Sequence, residues 1–116
     1  MSHPIDHAKK SASIWGGDPK EYLHIHQWLD DTKQTFSDFR HRALRHHSYG
    51  IFEAAKALGE SFTNSIGKEV YTKYVCEQHI KEDCDGKIPT VEDWLKHMTP
   101  QVWMTKGYRI EGKANG

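Results

Sequence analysis

The sequence has 116 residues, the size of one ordinary domain, and its 16 basic residues balance its 16 acidic ones. A chain without net charge has no strong field to attract nucleic acid or an anionic membrane, and no apolar run is long enough for a transmembrane helix. Two cysteines make no disulfide framework and the first ten residues lack a signal-peptide core, so we expect a cytoplasmic protein. The composition is unusual in its nine histidines. Because neutral imidazole is the commonest metal ligand, this excess raises the question of a metal site.

Helix start and stop signals divide the first half of the chain into three helices. A serine and a proline near the N-terminus predict a first helix over residues 4–15, which a pair of glycines ends. An aspartate-proline pair repeats the start signal and predicts a second helix over residues 19–34. A serine-aspartate pair then predicts a third helix, which continues without a break over residues 38–58.

The second half of the chain predicts a short hairpin followed by further helices. Residues 60–70 have β-forming side chains on both sides of an Asn-Ser-Ile-Gly stretch, which is typical of a hairpin or an irregular loop. A fourth helix is predicted over residues 71–83. Thr90 and Asp93 form a capping-box pair before a short helix predicted over residues 91–98.

These elements predict a mostly α fold, a compact bundle of four or five helices with the hairpin or loop as an insertion. The bundle forms a single domain over residues 1–104, and residues 105–116 form a flexible C-terminal tail with little to bury. Small helical bundles often pair through an apolar face, so a homodimer is a further expectation.

The histidines of the third helix can be placed by the helical rotation of about 100° per residue. His47 falls in the middle of the apolar arc and His46 at its edge, whereas His41 lies about 120° from the centre of the arc. A histidine inside an apolar stripe needs a partner for its ring nitrogens. That partner is either a metal ion or, for a structural core histidine, a backbone carbonyl or a carboxylate.

Two His-x-x-x-Asp pairs on other helices favour the metal ion. His79 and Asp83 lie one turn apart on the fourth helix, and His26 and Asp30 are spaced in the same way on the second. Facing helices commonly project imidazoles and carboxylates towards one ion, and mixed nitrogen and oxygen ligands suit zinc, manganese, iron or nickel. Glu82 is a third carboxylate, next to Asp83 on the fourth helix. The alternative is that these pairs belong to solvated helix faces.

Three arginines lie beside the His46-His47 pair: Arg40, Arg42 and Arg45. Their forked donors could hold a phosphate or a carboxylate, which predicts an anionic substrate. The alternative is a solvated helix face on which the arginines pair with nearby aspartates.

The runs RHRALRHHSYGIFEAAKALG, TNSIGK and EQHIKEDCDGKIPTVEDWL, with HQWLDDTK upstream, resemble a family of small, functionally uncharacterised proteins of bacteria and phages. The resemblance extends over most of residues 3–98 and implies that the matched polar positions form one motif set. That set contains His26, Asp30, Arg40, His41, Arg42, His46, His79, Glu82 and Asp83. His41 is a candidate ligand through this resemblance only. The order of His and Asp is also loosely similar to helical HD-type metal-dependent phosphohydrolases, although the sequence has no adjacent His-Asp dipeptide.

The leading hypothesis is a small helical metal-binding protein, and its more specific form is a metal-dependent hydrolase of a phosphorylated or other anionic small molecule. The predicted metal ligands are His46, His47, His79, Asp83, His26 and His41. The ion would lower the pKa of a bound water towards about 7, and Glu82 or Asp30 would take the proton. The alternative is a non-catalytic phage or bacterial interaction protein whose buried histidines are structural.

Overall fold

The first predicted helix forms over its predicted residues, whereas the second is divided into three pieces. In the computed structural model, which describes residues 3–108, α1 spans Pro4–Trp15 and ends at Gly16, whose φ of 88° suits glycine. The second predicted helix is divided into a 3₁₀ turn at Pro19–Glu21, the helix α2 at Leu23–Asp30 and a second 3₁₀ turn at Asp31–Gln34. α2 packs against α1 and against the later helices at Ser48–Leu58 and Thr72–Asp83, and it contributes the buried side chains of Ile25 and Leu29 to the apolar core.

The third predicted helix is broken, so the prediction of one continuous element over residues 38–58 is wrong. A 3₁₀ turn at Phe39–His41 leads into α3 at Arg42–Arg45, and α4 begins again at Ser48–Leu58. Residues 46 and 47, which lie between α3 and α4, leave the helical conformation, with ψ angles of 66° and 171°.

The segment over residues 89–94 holds this break open. The indole N–H of Trp94 donates to the carbonyl oxygen of His46 at 3.0 Å, and the backbone N–H of Ser48 donates to the carbonyl oxygen of Pro89 at 2.9 Å. These groups would otherwise bond within a continuous helix, so tertiary contacts supply the partners that the break removes.

The second half of the chain forms the predicted hairpin and helices. Strands β1 at Ser61–Thr63 and β2 at Glu69–Tyr71 pair in antiparallel fashion, with Phe62 opposite Val70. Helix α5 follows directly at Thr72–Asp83.

The last described elements are short. The predicted capping box starts α6 at Val91–Leu95, where Thr90 accepts a hydrogen bond from the N–H of Asp93. A 3₁₀ turn at Val102–Thr105 follows, and most of the predicted tail, residues 109–116, lies outside the described residues. Within residues 3–108, none of the helices has the length and apolar character that crossing a membrane requires.

The interior is unusually polar for a small domain. Among residues 3–108, nine buried residues are hydrophobic and ten are polar, and six of those ten are histidines. Buried polar groups cost free energy unless they find partners, so each buried histidine needs a partner for its ring nitrogens.

Candidate metal centre

Two aspartates and two histidines from three parts of the chain meet in the interior. Asp30 ends α2, His46 lies between α3 and α4, and His79 and Asp83 lie one turn apart on α5. One nitrogen or oxygen atom from each lies within 4.8 Å of all the others. These side chains, which we call the ligand ring, are at most 6% exposed.

Each imidazole nitrogen of the ligand ring faces both carboxylates. Nε2 of His46 lies 3.1 Å from Oδ2 of Asp83 and 3.6 Å from Oδ1 of Asp30. Nε2 of His79 lies 3.2 Å from each of the same two oxygens. Atoms bonded to one ion at about 2.0–2.2 Å lie about 3.0–3.5 Å apart in neighbouring positions. The spacing is therefore that of ligands around a single metal ion.

Each aspartate turns its second oxygen towards a cation outside the ligand ring. Oδ1 of Asp83 lies 3.3 Å from Nε2 of His7 and 4.0 Å from the guanidinium of Arg42, and Oδ2 of Asp30 lies 3.8 Å from Nζ of Lys33. Burial by itself raises the pKa of both carboxyls, but the neighbouring imidazoles and cations outweigh it and hold each pKa below its ordinary value. Both aspartates are therefore ionised at neutral pH, as metal ligands must be.

His26 lies behind His79 and outside the ligand ring. Its Nδ1 lies 2.9 Å from Nδ1 of His79, and its Nε2 lies 2.7 Å from Oγ of Ser11. Burial, together with the nearby imidazoles of His79 and His7, lowers the pKa of His26 to about 2, so this ring is neutral. Of the predicted pair on α2, the structure brings Asp30 into the ligand ring and places His26 one hydrogen bond behind it.

His7 belongs to this centre but is absent from the sequence-based candidates. Its Nδ1 lies 2.5 Å from Oε1 of Glu82, and its ring stacks on that of His79 with centroids 3.9 Å apart. Burial lowers the pKa of His7, but the carboxylates of Asp83 and Glu82 outweigh burial and raise it. His7 and Ser11 lie one turn apart on the buried face of α1, so helical periodicity could have found the pair.

His41 and His47 are both buried, but outside the ligand ring. His41 is buried, its ring is edge-on to that of His46 with centroids 5.4 Å apart, and its Nδ1 lies 3.0 Å from Oγ1 of Thr32. His47 caps α4, where its Nδ1 accepts the backbone N–H of Gly50 at 2.9 Å. The predicted burial of His47 agrees with the structure, whereas the direction predicted for His41 assumed one continuous helix and does not apply, because the helix is interrupted at residues 46 and 47. Neither contributes an atom to the ligand ring.

The three predicted anion-binding arginines do not converge. Arg40 pairs with Asp38 at 3.1 Å on the exposed surface. Arg45 lies over the ring of Trp28, 3.8 Å from its centroid, and donates to the carbonyl oxygen of that residue at 2.5 Å. Of the three, Arg42 is the one that approaches the ligand ring.

The two predicted proton acceptors occupy different positions. Asp30 lies in the ligand ring itself. Glu82 lies outside it with its side chain 30% exposed, and it accepts hydrogen bonds from His7 and from Nε2 of Gln78. Glu82 is therefore hydrogen-bonded to His7 and Gln78, which lie outside the ligand ring.

Comparison with known proteins gives one match. A family model described as a domain of unknown function, DUF6915, matches residues 2–104. No curated protein and no solved structure gives a significant match.

Proposed function

The chain belongs to the DUF6915 family, and from the geometry of its buried centre we propose that it binds one divalent metal ion. The proposed ligand atoms are Oδ1 of Asp30, Nε2 of His46, Nε2 of His79 and Oδ2 of Asp83. The observation that carries the proposal is that nitrogen and oxygen atoms alternate around one point. Each of the two Nε2 atoms lies 3.1–3.6 Å from both carboxylate oxygens.

The charge of the ligand ring supports a divalent ion. With both histidines bound as neutral imidazole ligands, the ring carries the two negative charges of its aspartates, which one divalent cation neutralises. Burying carboxylates without a counter-charge is costly, and the ring is at most 6% exposed. The ion would also join α2, the α3–α4 break and α5, and would therefore stabilise the arrangement of these helices.

Zinc is the ion to test first. Zinc accepts imidazole nitrogen and carboxylate oxygen, and structural zinc sites are closed by four protein ligands. The ligand ring offers four ligands in a buried position, which corresponds to that class of site. Manganese, iron and nickel also take this mixture of ligands and are the other outcomes of a metal analysis.

Hydrolysis of a phosphorylated or other anionic small molecule is a second candidate function. The observation that favours it is Arg42, which lies 4.0 Å from Asp83 and whose buried Nε has no hydrogen-bond partner among the described residues. In this mechanism Arg42 would hold the anion and Glu82 would accept a proton, while an ion held by the ligand ring would supply an activated water molecule when bound. The chemistry requires a coordination position for that water in addition to the four protein ligands.

Elemental analysis of untagged protein tests the metal centre. Protein grown in metal-supplemented medium should hold about one ion per chain, and His79→Ala should lose it. His97→Ala is the matched control, because His97 is an exposed histidine outside the centre. Less than about 0.2 ion per chain in the wild type would refute the proposal and favour an interaction protein with structural histidines.

The hydrolase candidate needs a separate assay on the metal-loaded protein. Cleavage of a chromogenic phosphate ester should depend on the ion and should fall at least about tenfold in Arg42→Ala while the metal content stays the same. Absence of turnover in the loaded wild type would refute this candidate for phosphate esters and leave the metal centre in place.

A further inference from the structure

A continuous row of hydrogen bonds leads from the protein surface to the back of His79. Both carboxylate oxygens of Glu82 lie 3.0 Å from Nε2 of Gln78. Oε1 of Gln78 lies 2.5 Å from Oγ of Ser11, which lies 2.7 Å from Nε2 of His26. Nδ1 of His26 then lies 2.9 Å from Nδ1 of His79. The row joins α1, α2 and α5, and His79 is its one member that belongs to the ligand ring.

The neighbours of Gln78 decide which way its amide points. Its Nε2 faces the two carboxylate oxygens of Glu82 and the backbone carbonyl oxygen of His7, which lies 3.1 Å away. All three oxygens can only accept hydrogen bonds, so the NH₂ end must face them. The amide oxygen of Gln78 therefore faces Ser11 and needs a donor.

Ser11 has a single hydroxyl hydrogen, and two oxygens compete for it. Oε1 of Gln78 at 2.5 Å and the backbone carbonyl oxygen of His7 at 3.1 Å are both acceptors without a hydrogen of their own. Whichever of them receives the hydrogen, Ser11 has none left for the imidazole of His26. Ser11 therefore accepts a hydrogen bond from Nε2–H of His26.

The hydrogen on His26 then decides the tautomer of His79. A neutral imidazole carries one ring hydrogen, so with Nε2 protonated the Nδ1 of His26 can only accept. His79 must donate to it from Nδ1–H. Nε2 of a neutral His79 consequently keeps a lone pair, and this lone pair faces the carboxylate oxygens of Asp30 and Asp83 at 3.2 Å each. Such an arrangement is repulsive until either a hydrogen on Nε2 or a metal ion lies between the three atoms.

We propose that Glu82, Gln78, Ser11 and His26 are positioning residues, which hold His79 in the tautomer that binds the ion through Nε2. The inference rests on the metal centre proposed above and adds a role for Glu82 that differs from proton transfer at a metal-bound water. Hydrogen bonds behind a histidine ligand orient the ring and raise its basicity, and their loss typically weakens metal binding about 10- to 100-fold.

Glu82 also supports the ligand ring by a second route. Its Oε1 accepts from Nδ1 of His7, whose Nε2 lies 3.3 Å from Oδ1 of Asp83. One partly exposed carboxylate thus stands behind both ligands that α5 supplies, through Gln78 towards His79 and through His7 towards Asp83. Removing it should therefore affect the centre more than removing another glutamate of the same helix.

NMR of nitrogen-labelled histidine rings tests the direction of the row in the wild-type protein, with and without zinc. We expect His26 to carry its hydrogen on Nε2 and His79 to carry one on Nδ1 in both states. Finding the hydrogen of His26 on Nδ1 would overturn the inference whether or not the protein binds zinc.

Zinc titration of variants against a chelating dye tests the effect on the ion. Ser11→Ala and Glu82→Ala should each weaken zinc binding about 10- to 100-fold, and Ser11→Thr should restore most of the affinity. The matched controls are Ser13→Ala, whose hydroxyl bonds to a carbonyl on the exposed side of α1, and Glu77→Ala on α5. Both controls should bind zinc as the wild type does.

The outcomes separate the two proposals. A wild type that binds none of zinc, manganese, iron and nickel refutes the metal centre. If the wild type binds zinc and Ser11→Ala and Glu82→Ala bind it equally tightly, the positioning role alone is refuted. If either variant does not fold, the ring hydrogens of the wild-type protein decide the matter.

Discussion

Removal of the ion should destabilise the protein strongly, because the ligand ring then holds two carboxylates without their counter-charge. Oδ1 of Asp30 and Oδ2 of Asp83 lie no more than 4.8 Å apart. Two unit charges about 4 Å apart in an effective dielectric of about 20 interact with about 4 kcal/mol, so repulsion between the aspartates is about 3–4 kcal/mol. Lys33 and Arg42 offset part of it from the outer oxygens, but both are partly exposed and therefore screened.

The stabilisation expected from binding of the ion by mass action is of the same size as this repulsion. An ion present at about 1,000 times its Kd stabilises the folded state by about 4 kcal/mol. A domain of about 100 residues changes its Tm by about 4 °C or more for each kcal/mol, so the ion should raise Tm by about 15 °C.

Thermal unfolding of untagged protein measures this shift in excess zinc and in excess chelator, with His79→Ala under the same two conditions. We expect the wild type to lose about 15 °C in chelator and the variant to melt at one temperature in both. A wild-type Tm that changes by less than about 2 °C between zinc and chelator would refute the electrostatic reasoning, since a closed site of this charge cannot lose its ion without cost.

Three further predictions concern residues around the centre. His47→Ala should lower the free energy of unfolding by about 1 kcal/mol through loss of the α4 cap, with no change in metal content; loss of the ion would show that His47 is a ligand after all. Gly50→Ala should cost about 1–3 kcal/mol in a denaturant titration, because its Cβ would lie 2.0 Å from the carbonyl oxygen of Arg45; wild-type stability would contradict the close packing at the α3–α4 break. Alkylation followed by mass spectrometry should modify the half-buried Cys84 before Cys76, since burial raises the pKa of Cys76 to about 12, and faster labelling of Cys76 would contradict its burial. Because that pKa lies above the ordinary thiol value, the contribution of Cys76 to stability is present at lower pH and is lost as the pH rises towards about 12.

The burial of the ligand ring distinguishes between the two candidate functions. A catalytic ion keeps an open position, whereas a structural ion is closed by its protein ligands. The four ligand side chains are at most 6% exposed and come from three separate segments. The arrangement therefore supports a stabilising ion more directly than a hydrolytic one, and Arg42 supplies the one observation in favour of an anionic substrate at this centre.

The sequence predicted the elements that depend on local interactions. Capping residues and glycines gave the bounds of α1 and the start of α6, and β-forming residues gave the hairpin. The pair His79 and Asp83 was also predictable, because residues four apart on a helix share a face wherever that helix packs.

Only the tertiary structure decided which residues form the ligand ring. The break between α3 and α4 brings His46 into the ligand ring and makes His47 a helix cap, and it depends on bonds from Trp94 and to Pro89, which local sequence cannot show. His26 and Asp30 satisfy the same spacing rule, but they meet opposite sides of His79 on α5. His26 therefore lies behind the ligand ring, whereas Asp30 belongs to it. Helical spacing fixes the face on which a side chain lies, whereas the packing of one helix against another fixes the distance at which it meets its partners.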